Sequence, residues 1–221
     1  MKKNMPQTNT ILFDLDGTII EPIEGILNSI RHAAQKIGVE IPAHTELYQF
    51  IGPPIMDSFQ SKLSLDYEKA NQAVSYFRKY YSTEGIHQHQ LYPNIEQVLK
   101  TLKQKGYRLF IATSKPTLFA KEILKGHNLD VLFDEIVGSN LDNSRSDKTE
   151  IIEYIVSKYQ LDIKKTIMIG DTKYDIIGAK NHKIKSIGVS YGHGSFTSFK
   201  PDYIVDNCIQ LQDLILKNFC L

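Results

Sequence analysis

Two aspartates stand two residues apart in the stretch Asp14-Leu15-Asp16-Gly17-Thr18, directly after the apolar run Thr10 to Phe13. If the run is a strand, both carboxylates point to one side while Leu15 turns into the core. Gly17 permits a sharp turn, and Thr18 can hydrogen-bond back to the loop. Neighbouring carboxylates repel each other, so a cation or a shared proton must offset the repulsion. The pattern suits a cation-dependent site; a solvated turn at a strand end would use the same residues.

A second acidic pair, Asp171 and Asp175, follows the apolar run Thr166 to Gly170, with Asp175 one helical turn beyond Asp171. The carboxyl ends of parallel strands meet at one edge of a sheet, so this pair should lie near Asp14 and Asp16. Hard oxygen ligands, without a cysteine or a well-placed histidine, favour Mg²⁺ over zinc. Because Mg²⁺ also takes phosphate oxygens, a phosphorylated substrate would suit the site.

A bound phosphate also needs neutral donors and a positive charge. Thr113 and Ser114 follow the apolar run Leu109 to Ala112, and they offer hydroxyls and backbone amides at the start of a predicted helix near Thr117. Lys148 opens the next predicted helix, where a cation is electrostatically misplaced unless it has an anionic partner. An ordinary helix cap and a solvated lysine would explain the same residues.

The chemistry-bearing residues follow strands that alternate with helices. The apolar runs predict five buried strands, at Thr10–Phe13, Leu109–Ala112, Glu135–Gly138, Thr166–Gly170 and Ser186–Val189. Helical periods separate them at Thr117–Lys125, Lys148–Tyr159 and Tyr174–His182. Such alternation predicts an α/β fold, a doubly wound parallel sheet covered by helices on both faces.

The pattern changes between the first strand and Pro93. Residues 23–37 and 66–81 have amphipathic helical periods with no β run between them. We therefore expect an all-helical insertion over residues 21–92, a cap domain, and an α/β core made of residues 1–20 and 93–221. An insertion directly after the first acidic loop would form a lid over the sheet edge.

Composition excludes several classes of partner. Lysine plus arginine number 26 and aspartate plus glutamate 25, so no bulk charge favours nucleic acid or an anionic membrane. Cys208 and Cys220 lack the spacing of a zinc site or a redox pair. No signal core and no apolar stretch long enough for a membrane span stand in the sequence. We expect a cytoplasmic protein that acts on a small molecule.

The order of these motifs resembles the haloacid dehalogenase superfamily, in the phosphoglycolate phosphatase-like branch with a helical cap inserted after the first motif. The resemblance spans residues 10 to 218. Further stretches are similar to bacterial members of that branch: Phe50-Ile51-Gly52-Pro53-Pro54, Phe77-Arg78, Thr113-Ser114-Lys115-Pro116, Arg145-Ser146-Asp147-Lys148 and Tyr191-Gly192-His193-Gly194-Ser195.

The resemblance implies a Rossmann-like core and an Mg²⁺-dependent phosphatase. It makes Asp14 the nucleophile and Asp16 the general acid and base. It gives Mg²⁺ the Asp14 carboxylate, the Asp16 backbone carbonyl and Asp171 as ligands. Thr113, Lys148 and a donor from Ser114 would hold the phosphoryl oxygens, and Asp175 would stand behind the ligands, paired with Lys148.

The cap should choose the substrate, and Gly52 and Arg78 are the candidate contacts there; a Gly-Pro-Pro turn and a salt-bridged surface arginine would explain them equally. The resemblance makes phosphoglycolate the default substrate, but a 5'-nucleotide, a sugar phosphate or another phosphoester would use the same core. A sugar-phosphate mutase of the same fold and a non-catalytic regulator that binds a phosphorylated ligand are the alternative functions. We expect a monomer or a weak homodimer.

Overall fold

The computed structural model describes residues 10–41, 48–50, 53–142 and 144–219. The chain divides into two compact units, one formed by residues 10–19 and 91–219 and the other by Ile20–Gln90. The assignment of these units as a core and a cap domain stays a prediction.

The described residues form strands and helices that we number in chain order. The strands are β1 (Thr10–Phe13), β2 (Ile20–Glu21), β3 (Gln90–Leu91), β4 (Arg108–Pro116), β5 (Glu135–Ser139), β6 (Thr166–Gly170), β7 (Lys185–Val189) and β8 (Tyr203–Val205). The helices are α1 (Ile23–Ile37), α2 (Ile55–Lys62), α3 (Tyr67–Thr83), α4 (Ile95–Gln104), α5 (Thr117–Gly126), α6 (Lys148–Tyr159), α7 (Lys173–Asn181) and α8 (Cys208–Asn218). Within the described ranges, none of these helices has the length and apolarity needed to cross a bilayer.

The larger unit is built on a six-stranded parallel sheet in the order β5-β4-β1-β6-β7-β8. Strand β1 lies in the middle, and its Leu12 is in register with Phe110 of β4 and Met168 of β6. The chain builds the sheet outward on one side of β1 and then crosses to the other side. Ligands of such sheets bind at the carboxyl ends of the strands beside this switch point, here β1, β4 and β6.

The side chains of the sheet are mostly apolar, and helices packed on the sheet bury them. Strands β1 and β6 are buried along their whole length, as expected for central strands of a parallel sheet. On one face, α6 and the sheet share a fully buried cluster that includes Leu12, Phe110, Met168, Ile151, Ile152 and Ile155. The α/β fold class predicted from the sequence is confirmed, and each of the five predicted strands is present.

Three features of the larger unit differ from the prediction. A sixth strand, β8, pairs with β7, and helices α4 and α8 complete the layers. Strand β4 runs on to Pro116 instead of ending at Ala112, with a register shift against β5 between these two residues. The extension carries Thr113 and Ser114 inside the strand.

The smaller unit is helical apart from the short pairing of β2 with β3. Helix α1 packs against α3, and α3 begins after Asp66, whose side chain accepts a hydrogen bond from the amide of Lys69 at 2.8 Å. Phe77 and Tyr81 of α3 are buried and stack on each other, so these aromatic residues form part of this unit's own core. Helix α2 was not predicted.

Candidate active site

Three buried carboxylates meet at the carboxyl edge of the sheet. Asp14 follows β1, Asp171 follows β6, and Asp175 lies in the first turn of α7. One oxygen of each lies within 4.8 Å of the others, a spacing at which they could hold a metal ion. The carboxyl-edge position and the strand-to-acid order are those expected from the sequence.

Lys148 lies against this cluster. Its ammonium is 2.9 Å from Oδ1 of Asp14 and 2.7 Å from Oδ1 of Asp175, and it donates to the carbonyl of Ala112 at 2.8 Å. Burial alone would lower the pKa of this ammonium, but Asp14 and Asp175 more than offset burial and hold the pKa above its usual value. Lys148 is therefore a charged, buried partner of two carboxylates, and the interpretation as a solvated surface lysine is wrong.

Asp175 uses both of its oxygens within the protein. Oδ1 pairs with Lys148, while Oδ2 accepts from the backbone amide of Thr172 at 3.0 Å and from its hydroxyl at 2.8 Å. This arrangement is a capping interaction at the start of α7. Asp175 thus joins the helix start to Lys148 and has less capacity left for a metal than its two neighbours.

Asp171 has one oxygen engaged and one left over. Oδ2 accepts from the backbone amides of His193 at 2.8 Å and Gly194 at 3.3 Å. Oδ1 is buried and has no hydrogen-bond partner among the described residues. Burial raises the pKa of Asp171 well above its usual value, and the negative charges of Asp14 and Asp175 raise it further.

The donor set fits a hard divalent cation. With its carboxylates ionised, the cluster of Asp14, Asp171, Asp175 and Lys148 has three negative charges against one positive charge. The orphaned Oδ1 of Asp171 points to the missing partner, because a buried carboxylate oxygen is costly to leave unpaired. Oxygen donors without sulfur or nitrogen are the preference of Mg²⁺.

Replacing Asp171 by asparagine should stabilise the protein when a chelator keeps it free of metal. The substitution removes one uncompensated negative charge, and the asparagine oxygen can still accept from the amide of His193. We expect the free energy of unfolding to rise by about 1–3 kcal/mol, part of the Coulomb energy of two charges at this spacing. Thermal unfolding in chelator should show a Tm higher by roughly 2–12 °C.

The matched control for that substitution is Asp213→Asn, at an exposed position on α8, which should change stability by no more than about 0.5 kcal/mol. A lower Tm of Asp171→Asn in chelator would contradict the excess of negative charge in the cluster.

The carboxylate of Asp16 lies outside the cluster of Asp14, Asp171 and Asp175 and has its own partner. The ammonium of Lys115 is 2.7 Å from each of its two carboxylate oxygens, and the Lys115 side chain is 5% exposed. The sequence led us to expect that a cation or a shared proton offsets the repulsion between Asp14 and Asp16. Each carboxylate is instead paired with a different lysine, which is why two adjacent acids are tolerated here.

Lys115 was missed because the predicted strand stopped too early. Thr113 and Lys115 are both buried, whereas Ser114 between them is half-buried, the alternation of an extended chain. Continuing the strand through Pro116 would have placed Lys115 on the same side as Thr113. The hydroxyl of Thr113 accepts from the amide of Lys115 at 3.2 Å.

The expected position of Thr113 and Ser114 at a helix start is wrong. Helix α5 begins at Thr117, after Pro116. Pro116 still pairs with Ser139 of β5, and Thr117 uses its hydroxyl to accept from the amide of Gly138 at 2.9 Å. Thr113 and Ser114 therefore reach the sheet edge from β4 itself, without a helix dipole behind them.

The turn after β1 is held by its backbone. Gly17 has φ +78°, and a Cβ there would collide with the carboxylate of Asp171, so only glycine fits. The amide of Thr18 donates to the carbonyl of Leu15 at 3.3 Å, and the Thr18 carbonyl accepts from the hydroxyl of Tyr191 at 3.0 Å. The Thr18 hydroxyl is buried and has no partner in the described part of the chain, contrary to a side-chain bond back to the loop.

Two candidate substrate contacts belong to the predicted cap. Gly52 lies outside the described residues. Arg78 lies on α3 of the smaller unit and is half-buried. Substrate contact by either residue stays a prediction.

Comparisons with known proteins agree with the fold. The model of the family described as haloacid dehalogenase-like hydrolase matches residues 11–189. A 5'-nucleotidase from Pseudomonas aeruginosa is 35% identical over 92% of this chain and 92% of its own length. A phosphoglycolate phosphatase from Vibrio vulnificus is 29% identical over 93% of this chain and 95% of its own length.

A solved structure described as a predicted phosphatase from Clostridium acetobutylicum superposes with a TM-score of 0.90 at 39% sequence identity. The match covers 95% of this chain and 98% of that one. The resemblance inferred from the motifs is therefore confirmed. The chain belongs to the haloacid dehalogenase-like hydrolases and is an enzyme of their phosphoglycolate phosphatase-like branch.

Proposed function

We propose that this enzyme hydrolyses the phosphate monoester of a small metabolite in two steps, through an aspartyl phosphate on Asp14. One observation carries the proposal. Asp14 stands at the end of the central strand, and the described contacts of its carboxylate, with Lys148 and the amide of Leu15, are made by Oδ1. Those contacts orient the carboxylate and leave Oδ2 for attack on phosphorus.

In the first step, Oδ2 of Asp14 forms a bond to phosphorus while the ester oxygen leaves and takes a proton from the carboxyl group of Asp16. In the second step, Asp16 takes a proton from water as the water attacks phosphorus. The bond to Asp14 then breaks and phosphate departs. Thr113, Ser114 and Lys148 would hold the phosphoryl oxygens during both transfers.

The residues that would hold the metal are the carboxylates of Asp14 and Asp171 and the backbone carbonyl of Asp16. The excess of negative charge and the orphaned oxygen of Asp171 support this assignment. When bound, Mg²⁺ supplies a positive charge that offsets the repulsion between the nucleophile and the phosphate. Asp175 would keep the ammonium of Lys148 in position through their ion pair.

The substrate remains a choice among small phosphate esters, and 5'-nucleotides are the first to test because the relative at 35% identity is named a 5'-nucleotidase. Phosphoglycolate is the second, from the 29% relative. The balanced charge of the chain supports a small molecule over nucleic acid. A cytoplasmic monomer or weak homodimer belongs to the same proposal.

The Lys115→Met variant should slow turnover more than it weakens substrate binding. Lys115 contacts both oxygens of Asp16 and fixes the position of that carboxyl group, so the loss of Lys115 frees the Asp16 side chain to turn away. We expect kcat to fall by about 10- to 100-fold, a part of the usual contribution of a general acid and base. The exposed Lys125→Met on α5 is the control. Steady-state kinetics at saturating Mg²⁺ measure both, and an unchanged kcat in Lys115→Met would remove this role.

Phosphate release tests the proposed function. The enzyme is incubated with 5'-nucleotides, phosphoglycolate, sugar phosphates and an aryl phosphate, each with Mg²⁺ or with chelator. We expect release only with Mg²⁺, and the fastest ester names the substrate class. Equal release in chelator would remove the metal from the proposal. An isomerised sugar phosphate without free phosphate would favour a mutase.

A further inference from the structure

The segment Tyr191 to Gly194, which follows β7, lies against Asp171 and has no role in the mechanism above. Its backbone amides at His193 and Gly194 donate to the same oxygen of Asp171, Oδ2, at 2.8 Å and 3.3 Å. The other oxygen, Oδ1, is the buried atom without a described partner. The segment therefore determines that Oδ2 of Asp171 accepts hydrogen bonds while Oδ1 stays available for another partner.

Two glycines make this approach possible. A Cβ at Gly192 would collide with the Cβ of Asp171 and with the carbonyl of Gly17. A Cβ at Gly194 would collide with the backbone carbonyl of Asp171. At both positions the limit is the space beside Asp171, so the segment cannot carry larger residues there and still donate to Oδ2.

Tyr191 anchors the start of the segment. Its hydroxyl donates to the carbonyl of Thr18 at 3.0 Å, and its ring centre lies 4.7 Å from that of Tyr92. Burial raises the pKa of Tyr191, and the neighbouring Cys208 raises it further, so the hydroxyl stays a neutral donor. The anchor ties the segment to the turn that carries Asp14 and Asp16.

We propose that Tyr191–Gly194 is a positioning element of the metal site: its two amides hold Oδ2 of Asp171 so that Oδ1 is presented to the cation, and Tyr191 fixes the segment against the turn after β1. This inference rests on the proposed Mg²⁺ site. Partners of metal ligands in general fix ligand orientation and set affinity. Here the partners of Asp171 are backbone amides, which no substitution removes directly. The positioning element is therefore tested by substituting the glycines that allow the close approach and the tyrosine that anchors the segment.

Titration calorimetry with Mg²⁺ alone, without substrate, tests the element. Gly192→Ala should raise the Mg²⁺ dissociation constant by roughly 10-fold or more, the usual effect of losing a ligand's orienting partner. Tyr191→Phe keeps the ring and its packing, and should raise the dissociation constant by about 3- to 10-fold. The control is Gly126→Ala on α5, where a Cβ meets nothing within 4 Å and Mg²⁺ affinity should not change.

Measurements of kcat at excess Mg²⁺ distinguish a defect in positioning Asp171 from a loss of folded protein. Excess Mg²⁺ should restore most of kcat in both variants, whereas loss of folded protein would not be restored. If Gly192→Ala does not fold, Tyr191→Phe decides. Wild-type affinity for Mg²⁺ in the folded variants would overturn the positioning element while the proposed function stands. No Mg²⁺ binding by the wild-type enzyme would overturn both.

Discussion

Asp14→Asn should abolish turnover and leave the enzyme folded. Asparagine has the shape of aspartate, and its oxygen can still accept from Lys148 and the amide of Leu15, but it cannot form the acyl phosphate that the mechanism requires. We expect kcat to fall by roughly 10⁴-fold or more, the scale seen when a covalent nucleophile is removed. The neutral side chain also lowers the negative charge of the cluster, so stability should not fall.

Phosphate release at saturating substrate and Mg²⁺ measures this loss, and thermal unfolding shows that the variant is folded. Asp213→Asn on the exposed face of α8 serves as control and should keep full activity. A rate for Asp14→Asn within tenfold of the wild type would remove Asp14 as nucleophile.

Lys148→Met should cost both stability and activity. The substitution leaves Asp14 and Asp175 without their shared cation and leaves the carbonyl of Ala112 without its donor. Breaking a buried pair on one side usually costs about 3–5 kcal/mol, because the remaining charge is uncompensated. We expect a decrease of that size in the free energy of unfolding. We also expect kcat to fall by at least about 10²-fold, the scale for a lost electrostatic contact to the transition state.

The control is Lys158→Met, which breaks a pair with Glu135 on the protein surface. That variant should lose no more than about 1 kcal/mol of stability and keep its activity. The double variant Lys148→Met with Asp175→Asn should regain part of the stability without regaining activity. If Lys148→Met lost no more stability than Lys158→Met, Lys148 would not be the cation that compensates the cluster.

The fold could be predicted because its central strands are apolar along their whole length and end in charged residues. In Thr10–Phe13 and Thr166–Gly170, apolar and polar residues do not alternate as they do in a half-buried strand. An aspartate follows each of these two strands. Parallel strands place such ends at one edge. That rule brought Asp14 and Asp171 together correctly from residues far apart in the chain.

The rest of the site could not be predicted from local pattern. Thr113 to Pro116 has turn-forming residues, and its extended form is supported by long-range contacts, the pairing of Pro116 with Ser139 and the ion pair between Lys115 and Asp16. Strand β8 has three residues and one exposed apolar side chain, too little for a periodic signal. The contact of His193 and Gly194 with Asp171 depends on where a loop crosses the sheet edge, which spacing does not encode.

Detection of a phosphoryl group on Asp14 tests the central claim most directly. The enzyme is mixed with its fastest substrate and Mg²⁺, quenched in acid at times from milliseconds upward, and the peptide that contains Asp14 is analysed by mass spectrometry. We predict a transient peptide heavier by one phosphoryl group, absent without substrate and absent in Asp14→Asn. Phosphate release at full rate with no phosphorylated aspartate at any time would contradict the aspartyl-phosphate mechanism.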